Sequence, residues 1–109
     1  MVENAILDDP VLLTFSSFLQ QQLGADLDHI WLFGSRARGD ARESSDYDFL
    51  IIANGNIANI KHQVHEAAWS CMELHNALVA SIVYTAEQWE SRKNSPLGWN
   101  IQREGKLVA

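Results

Sequence analysis

One stretch of the sequence decides the fold, Trp31-Leu-Phe-Gly-Ser-Arg-Ala-Arg-Gly-Asp-Ala-Arg-Glu-Ser-Ser-Asp-Tyr-Asp-Phe-Leu-Ile-Ile52. It joins two short apolar runs through a polar segment rich in arginine, acids, glycine and serine. Apolar runs of this length beside turn-forming residues are typical of buried β-strands. We therefore predict strands over 29–33 and 47–53. Because only about a dozen residues join them, we expect antiparallel neighbours.

The flanking segments alternate between helical and strand patterns. Asp9 followed by Pro10 is typical of a helix start, and Gly24 of a helix end. A turn at 54–56 precedes a second long apolar pattern with helical spacing, and a Val- and Ile-rich run follows it. The patterns predict helices over 10–23, 57–75, 85–92 and 96–104, and a third strand over 77–84 beside the second. The expected fold class is α+β, a small mixed β-sheet with helices packed on it, in one domain over residues 1–109.

Composition narrows the class of protein. The chain has 109 residues and a net charge of −6, which argues against broad nucleic-acid binding by phosphate neutralisation. A local basic patch is still predicted at Arg36, Arg38 and Arg42. Cys71 is the only cysteine, so an intramolecular disulfide and a cysteine-based zinc site are excluded.

The sequence also lacks the usual marks of export or membrane insertion. Acids at Glu3, Asp8 and Asp9 stand where a signal peptide would carry basic residues. No apolar run approaches the ~18 residues of a membrane span. We expect a cytoplasmic protein without a membrane partner.

Two aspartates open the second predicted strand. Residues i and i+2 of a strand point to the same face, so Asp46 and Asp48 should project together, with Tyr47 on the other side. Two adjacent carboxylates repel one another unless a cation lies between them, and hard oxygen ligands favour Mg²⁺ or Mn²⁺. Alone, such a triplet is also compatible with a solvated strand edge.

The end of the first predicted strand carries residues suited to phosphate. A glycine at position 34 lets the backbone approach phosphate oxygens, and the Ser35 hydroxyl can donate to them. Arg36 and Arg38 would then reach a triphosphate or an acceptor. An ordinary turn with solvated arginines remains the alternative interpretation.

The combined pattern of Gly34-Ser35, ten intervening residues and Asp46-x-Asp48 is more specific. It resembles the nucleotidyltransferase superfamily that includes DNA polymerase β, most closely its minimal nucleotidyltransferase (MNT) branch. The tail segments 90–94 and 103–105 also look like small bacterial members of that branch. The resemblance implies a polymerase β-type fold in which Gly34 and Ser35 bind the β- and γ-phosphates and Asp46 and Asp48 hold Mg²⁺. It further implies transfer of a nucleoside monophosphate, AMP from ATP or another nucleotide, to a hydroxyl.

The sequence departs from this family at one position. The superfamily normally supplies a third carboxylate from the strand after the long helix, whereas here that strand contains no acid. Ala80 or Ser81 stands where it would be. Two accounts remain open: a weak or substrate-assisted transferase, or a nucleotidyltransferase-fold subunit that only binds.

The resemblance also implies a partner. MNT-like proteins often act with a HEPN-domain protein as a toxin–antitoxin pair, in which the transferase neutralises a ribonuclease by adenylylating a tyrosine. In the alternative function, this chain would neutralise such a partner by complex formation alone. Trp89 and Trp99, in the less apolar tail, are either core residues or part of a partner surface, and a homo-oligomer is also possible.

Overall fold

A four-stranded sheet with helices on both faces organises the chain. The computed structural model describes residues 9–109. In chain order the elements are α1 (Pro10–Leu23), β1 (Leu27–Phe33), α2 (Ser35–Arg38), β2 (Tyr47–Ala53), α3 (Ile57–His75), β3 (Val79–Tyr84), α4 (Ala86–Arg92), α5 (Pro96–Glu104) and β4 (Lys106–Leu107). The predicted α+β class is confirmed.

The strands lie in the order β3-β2-β1-β4. β1 and β2 are antiparallel, as the length of their connection predicted, and β3 lies beside β2, as predicted, and is parallel to it. In the register of the central pair, Phe33 at the end of β1 lies opposite Asp48 near the start of β2. The two halves of the sequence pattern therefore meet at one end of the sheet.

The two faces of the sheet carry different layers. Alternate residues of β2, including Phe49 and Ile51, form a large core with α1 and α3, where the Phe15 and Phe49 rings lie 4.4 Å apart between centroids. The other alternate residues, Leu50 and Ile52, pack with Ile101 of α5 in a smaller cluster. Asp48 belongs to this second face but is only half-buried. After Asp48, the residues of β2 are therefore packed on both faces of the sheet.

The helix ends follow from local side-chain chemistry. Asp9 caps α1 through the Val11 N–H, and Thr85 and Gln88 form a capping box at the start of α4. Ser95 caps α5, and the N–H of Gly105 closes that helix on the Ile101 carbonyl. Side-chain oxygens satisfy the N–H groups that the first turn leaves unpaired.

Two strand boundaries differ from the sequence predictions, and two short elements were not predicted. β1 begins at Leu27, before the polar and exposed Asp28 and His29, across an irregularity in the ladder. A 3₁₀ turn over Gly24–Asp26 precedes it. β3 begins only at Val79, and β4 was not predicted because two residues show no periodicity. The acids Glu3 and Asp8 lie outside the described residues.

Within residues 9–109, the structure contains no helix of the length and apolarity that crossing a bilayer requires.

A partly buried hydrogen bond ties the start of α1 to β2. The Tyr47 hydroxyl donates to Asp9 Oδ2 at 2.9 Å, while the other carboxylate oxygen of Asp9 accepts the Val11 N–H. Burial, and then the hydrogen bond to Asp9, raise the pKa of Tyr47 to about 12. Since Tyr47 separates the two aspartates, this contact also fixes the backbone that carries them.

We expect Tyr47→Phe to lower the free energy of unfolding by about 1–2 kcal/mol at neutral pH, because a hydrogen bond to a charged group is lost. The native pKa of Tyr47 lies above the unfolded value of 10.0, so its stabilisation is present below pH 10 and lost as pH rises towards 12. Urea unfolding between pH 7 and 12 measures both effects. The variant should lose less stability than wild type above pH 10. Tyr84→Phe, a change at a half-buried tyrosine of β3, is the control, and equal behaviour of the two variants would contradict the assignment.

Candidate active site

Gly34 occupies a backbone conformation that suits glycine alone. Its φ of 77° and ψ of −160° lie in a region that side chains strongly disfavour. A Cβ at this position would also collide with the Asp48 carboxylate. The Gly34 carbonyl accepts the N–H groups of Ala37 and Arg38 at 3.1 and 3.0 Å, which begins α2. The predicted phosphate turn and the predicted metal ligand are therefore in direct contact.

The two aspartates differ in exposure. Asp46 is exposed just before β2, whereas Asp48 is half-buried within it. Burial, followed by the negative charge of Asp46, raises the pKa of Asp48, and Arg38 opposes this shift. Burial is the larger cause, and the repulsion by the Asp46 charge is one that a bound cation would relieve.

The two predicted nucleotide-binding arginines lie in different surroundings. Arg38 donates to Asp40 at 3.2 Å and to Glu104 at 3.1 Å, and hydrogen bonds to these two acids raise its pKa. Its charge acts on Asp48. Arg38 therefore lies at the site with Gly34 and the aspartates.

Arg36 instead holds the loop between α2 and β2. Its guanidinium donates to the carbonyls of Ser45 and Glu43 at 2.9 and 3.1 Å, and lies 4.2 Å above the centre of the Tyr47 ring. Tyr47 points to the opposite face of the sheet from Asp48. These contacts favour a structural role for Arg36, and the predicted basic patch is divided between two surroundings.

Ser35 is half-buried at the first position of α2. Its carbonyl accepts the N–H groups of Gly39 and Asp40 at 3.0 and 3.2 Å, so the turn continues directly into the polar loop. Ser35 therefore lies at the turn that Gly34 begins, and its contact with phosphate stays a prediction.

The strand register shows which residue stands where the family resemblance implies a third carboxylate. Ala80 of β3 pairs with Asp48 of β2, so both point to the same face, whereas Ser81 points to the other. Ala80 is exposed. Among residues 9–109, no three His, Cys, Asp or Glu side chains form a group that could hold a metal ion. A cation at Asp46 and Asp48 would thus complete its shell with phosphate and water oxygens.

Sequence reasoning missed one residue at the site, Glu104. Its Oε1 accepts the Gly34 N–H at 3.2 Å, and both its carboxylate oxygens accept from Arg38. The sequence feature that could have indicated Glu104 is an acid directly before Gly105, the glycine that ends the helix. Glu104 reaches Gly34 because β4 pairs with β1.

The two tail tryptophans differ in burial. Trp89 is half-buried and packs on the smaller cluster of the sheet. Trp99 has a relative exposure of 59%, with the Arg103 guanidinium 5.6 Å from its ring centre. Trp99 therefore remains available for a partner surface, whereas Trp89 serves packing.

Comparison with known proteins agrees with this geometry. The family model described as "Polymerase beta, Nucleotidyltransferase" matches residues 15–109. The chain belongs to this nucleotidyltransferase family. No curated protein sequence is significantly similar to it.

Solved structures share the fold at low sequence identity. A chain of a toxin–antitoxin complex with AMP-PNP is 22% identical, with a TM-score of 0.59 over 87% of this chain and 70% of that one. A chain from tri-AMPylated Shewanella oneidensis HEPN toxin in complex with MNT antitoxin is 19% identical, with a TM-score of 0.52 over 91% and 71%. A candidate nucleotidyltransferase from Sulfolobus solfataricus is 19% identical, with a TM-score of 0.50 over 91% and 86%. These matches confirm the polymerase β-type fold predicted from the sequence.

We expect Gly34→Ala to lower the free energy of unfolding by about 2–3 kcal/mol, because the new methyl group is strained and collides with Asp48. Gly39→Ala is the matched control: Gly39 also has a positive φ, but nothing lies within 4 Å of an added Cβ. That control should cost only about 1 kcal/mol. Urea unfolding provides the comparison, and equal losses in both variants would show that the contact with Asp48 is unimportant.

We expect Asp48→Asn to raise the melting temperature of the ligand-free protein by about 1–3 °C at neutral pH. The native pKa of Asp48 is raised, so ionisation costs stability as pH rises above the ordinary value of 3.8, and the gain should vanish near pH 3. Millimolar Mg²⁺ should stabilise wild type and not the variant. Thermal unfolding by circular dichroism measures this, with Glu73→Gln, an exposed change on α3, as control. A lower melting temperature for Asp48→Asn at pH 7 would refute the repulsion.

Proposed function

We propose that the protein is a Mg²⁺-dependent nucleotidyltransferase that transfers a nucleoside monophosphate, AMP from ATP, to a hydroxyl group. The observation that carries the proposal is the contact of Gly34 with Asp48, beside Asp46. A glycine backbone against two neighbouring carboxylates suits a metal-bound triphosphate. Two adjacent acids at this position do not stabilise the folded protein.

The side chains have distinct parts in this reaction. Gly34 and Ser35 hold the β- and γ-phosphates, and Arg38 offsets their charge. Asp46 and Asp48 provide the oxygen ligands for Mg²⁺, which when bound neutralises the charge of the phosphates. The acceptor oxygen forms a bond to the α-phosphorus, and the bond from that phosphorus to the bridging oxygen breaks, so pyrophosphate leaves.

β3 provides no carboxylate that could accept the proton of the acceptor hydroxyl. Ala80 cannot accept a proton, so the proton passes to a phosphate oxygen or to water. General-base catalysis typically contributes about 10²–10⁴-fold. We therefore expect slow turnover from a site whose main contribution is positioning.

We further propose that the acceptor is a tyrosine of a HEPN-domain protein and that this chain acts as its antitoxin in the cytoplasm. The support is the similarity to chains from toxin–antitoxin complexes, one with AMP-PNP and one with a tri-AMPylated HEPN toxin. The exposed Trp99 offers a contact surface for such a partner.

A second candidate function is neutralisation of the partner by binding alone. The observation that favours it is Ala80, exposed on β3 in register with Asp48 where the superfamily has an acid. Loss of that group lowers catalysis without removing the fold or the metal ligands. In this case the protein would bind Mg-ATP and its partner but transfer nothing.

We expect the wild-type protein to transfer label from α-³²P-ATP to its HEPN-domain partner in the presence of Mg²⁺. The double variant Asp46→Asn/Asp48→Asn should lose at least about 100-fold of this activity, because the metal ligands are removed. Labelled partner separated by gel electrophoresis gives the rate, and ribonuclease activity of the partner gives the inhibition. Omitting Mg²⁺ is the control.

Installing the missing acid separates the two candidates. Ala80→Asp should raise the transfer rate by about 10-fold or more if the site is a weak transferase, since it adds a base beside Asp48. Ser81→Asp, which points to the other face, is the matched control. An unlabelled partner that wild type and the double variant inhibit equally would refute the transferase and support binding alone.

A further inference from the structure

The last strand places a carboxylate against the proposed phosphate turn. β4 is antiparallel to β1, with Leu107 opposite Trp31 and Lys106 opposite Leu32. Glu104 is the last residue of α5 and only Gly105 separates it from β4, so this pairing brings Glu104 to the end of β1, where Gly34 follows. The backbone, rather than a flexible side chain alone, therefore determines that Glu104 lies at the turn.

Glu104 joins two elements of the site. Oε1 accepts the Gly34 N–H at 3.2 Å and an Arg38 Nη1 proton at 3.1 Å, and Oε2 is 3.3 Å from the same nitrogen. A single carboxylate thus fixes the glycine turn and the guanidinium relative to each other. Hydrogen bonds between charged groups are stronger than those between neutral groups.

The two acids on Arg38 differ in position. The side chain of Glu104 is 22% exposed and that of Asp40 63%, with Arg38 at 46% between them. Glu104 therefore lies on the inner side of the guanidinium and Asp40 on the solvent side. Exposed ion pairs contribute little, so an incoming phosphate can replace Asp40 while Glu104 stays in place.

We propose that Glu104 is a positioning residue for the triphosphate: it orders the Gly34 turn and orients Arg38 towards the phosphates. This inference rests on the proposed nucleotide-binding function of the same site. Glu104 does not act as the missing third carboxylate, because the described residues contain no metal-holding group of three. Its effect on the ligand passes through Gly34 and Arg38.

A competing interpretation makes the opposite prediction. If the Glu104 carboxylate instead occupied the place of a phosphate oxygen, the triphosphate would have to expel it, and removing its charge would strengthen binding. A positioning role requires that removing the charge weakens binding. The sign of the change therefore decides between them.

The experiment measures Mg-ATP binding by isothermal titration calorimetry in Glu104→Gln and Glu104→Ala. Glutamine keeps an acceptor for the Gly34 N–H and loses the ionic bond to Arg38, so we expect Kd to rise about 3–10-fold, and more in the alanine variant. In an Arg38→Gln background, Glu104→Gln should change Kd less than about 2-fold, because the residue that it orients is gone. Asp40→Asn removes the solvent-side acid of the same arginine and should leave Kd within about 2-fold.

A second measurement needs no nucleotide. Hydrogen exchange of the Gly34 amide, followed by NMR in the ligand-free protein, should be about 10-fold faster in Glu104→Ala, with the melting temperature recorded for each variant. An unchanged Kd, or a lower one, in the Glu104 variants overturns the inference. Wild type that binds no Mg-ATP contradicts the proposed function instead, and Gly34 exchange then decides the role of Glu104: faster exchange supports it and unchanged exchange overturns it.

Discussion

The steric fit between Gly34 and Asp48 is the constraint on which the rest of the site depends. The antiparallel register of β1 and β2 brings the end of one strand against the start of the other, and the missing side chain at position 34 makes room for the carboxylate. Both strands are held by buried neighbours on either face, so neither can shift to relieve a larger residue. The geometry of the carboxylates is therefore a property of the sheet.

The loop that joins β1 and β2 makes different contacts on the two faces of the sheet. Arg36 fastens it to the Ser45 and Glu43 carbonyls above the Tyr47 ring, and Asp9 holds the Tyr47 hydroxyl. Arg38, two residues later, faces the carboxylate pair together with Glu104. Two residues of the same type in one motif thus have different surroundings, because two positions along a helix correspond to about half a turn and so to nearly opposite directions.

Long periodic segments could be predicted from the sequence, and short or non-local features could not. The helices over 10–23 and 57–75 and the strand over 47–53 follow from apolar spacing with clear caps, and each begins and ends as predicted. The sequence left Ala80 and Ser81 as alternatives for the position of the absent acid. The strand register, which pairs Ala80 with Asp48, selects Ala80. β4 could not be predicted because a two-residue strand has no periodic pattern. The contact of Glu104 with Gly34 could not be predicted because it spans 70 positions and depends on the folded sheet. The opposite orientations of Arg36 and Arg38 are likewise invisible in composition.

Ala80 shows that chemistry and folding are separable in this domain. The residue is exposed on a strand at the end of the sheet order, where its side chain takes no part in either buried cluster. Exposed positions accept most substitutions within about 0.5 kcal/mol. Selection can consequently remove or restore an acid there by a single codon change without endangering the fold.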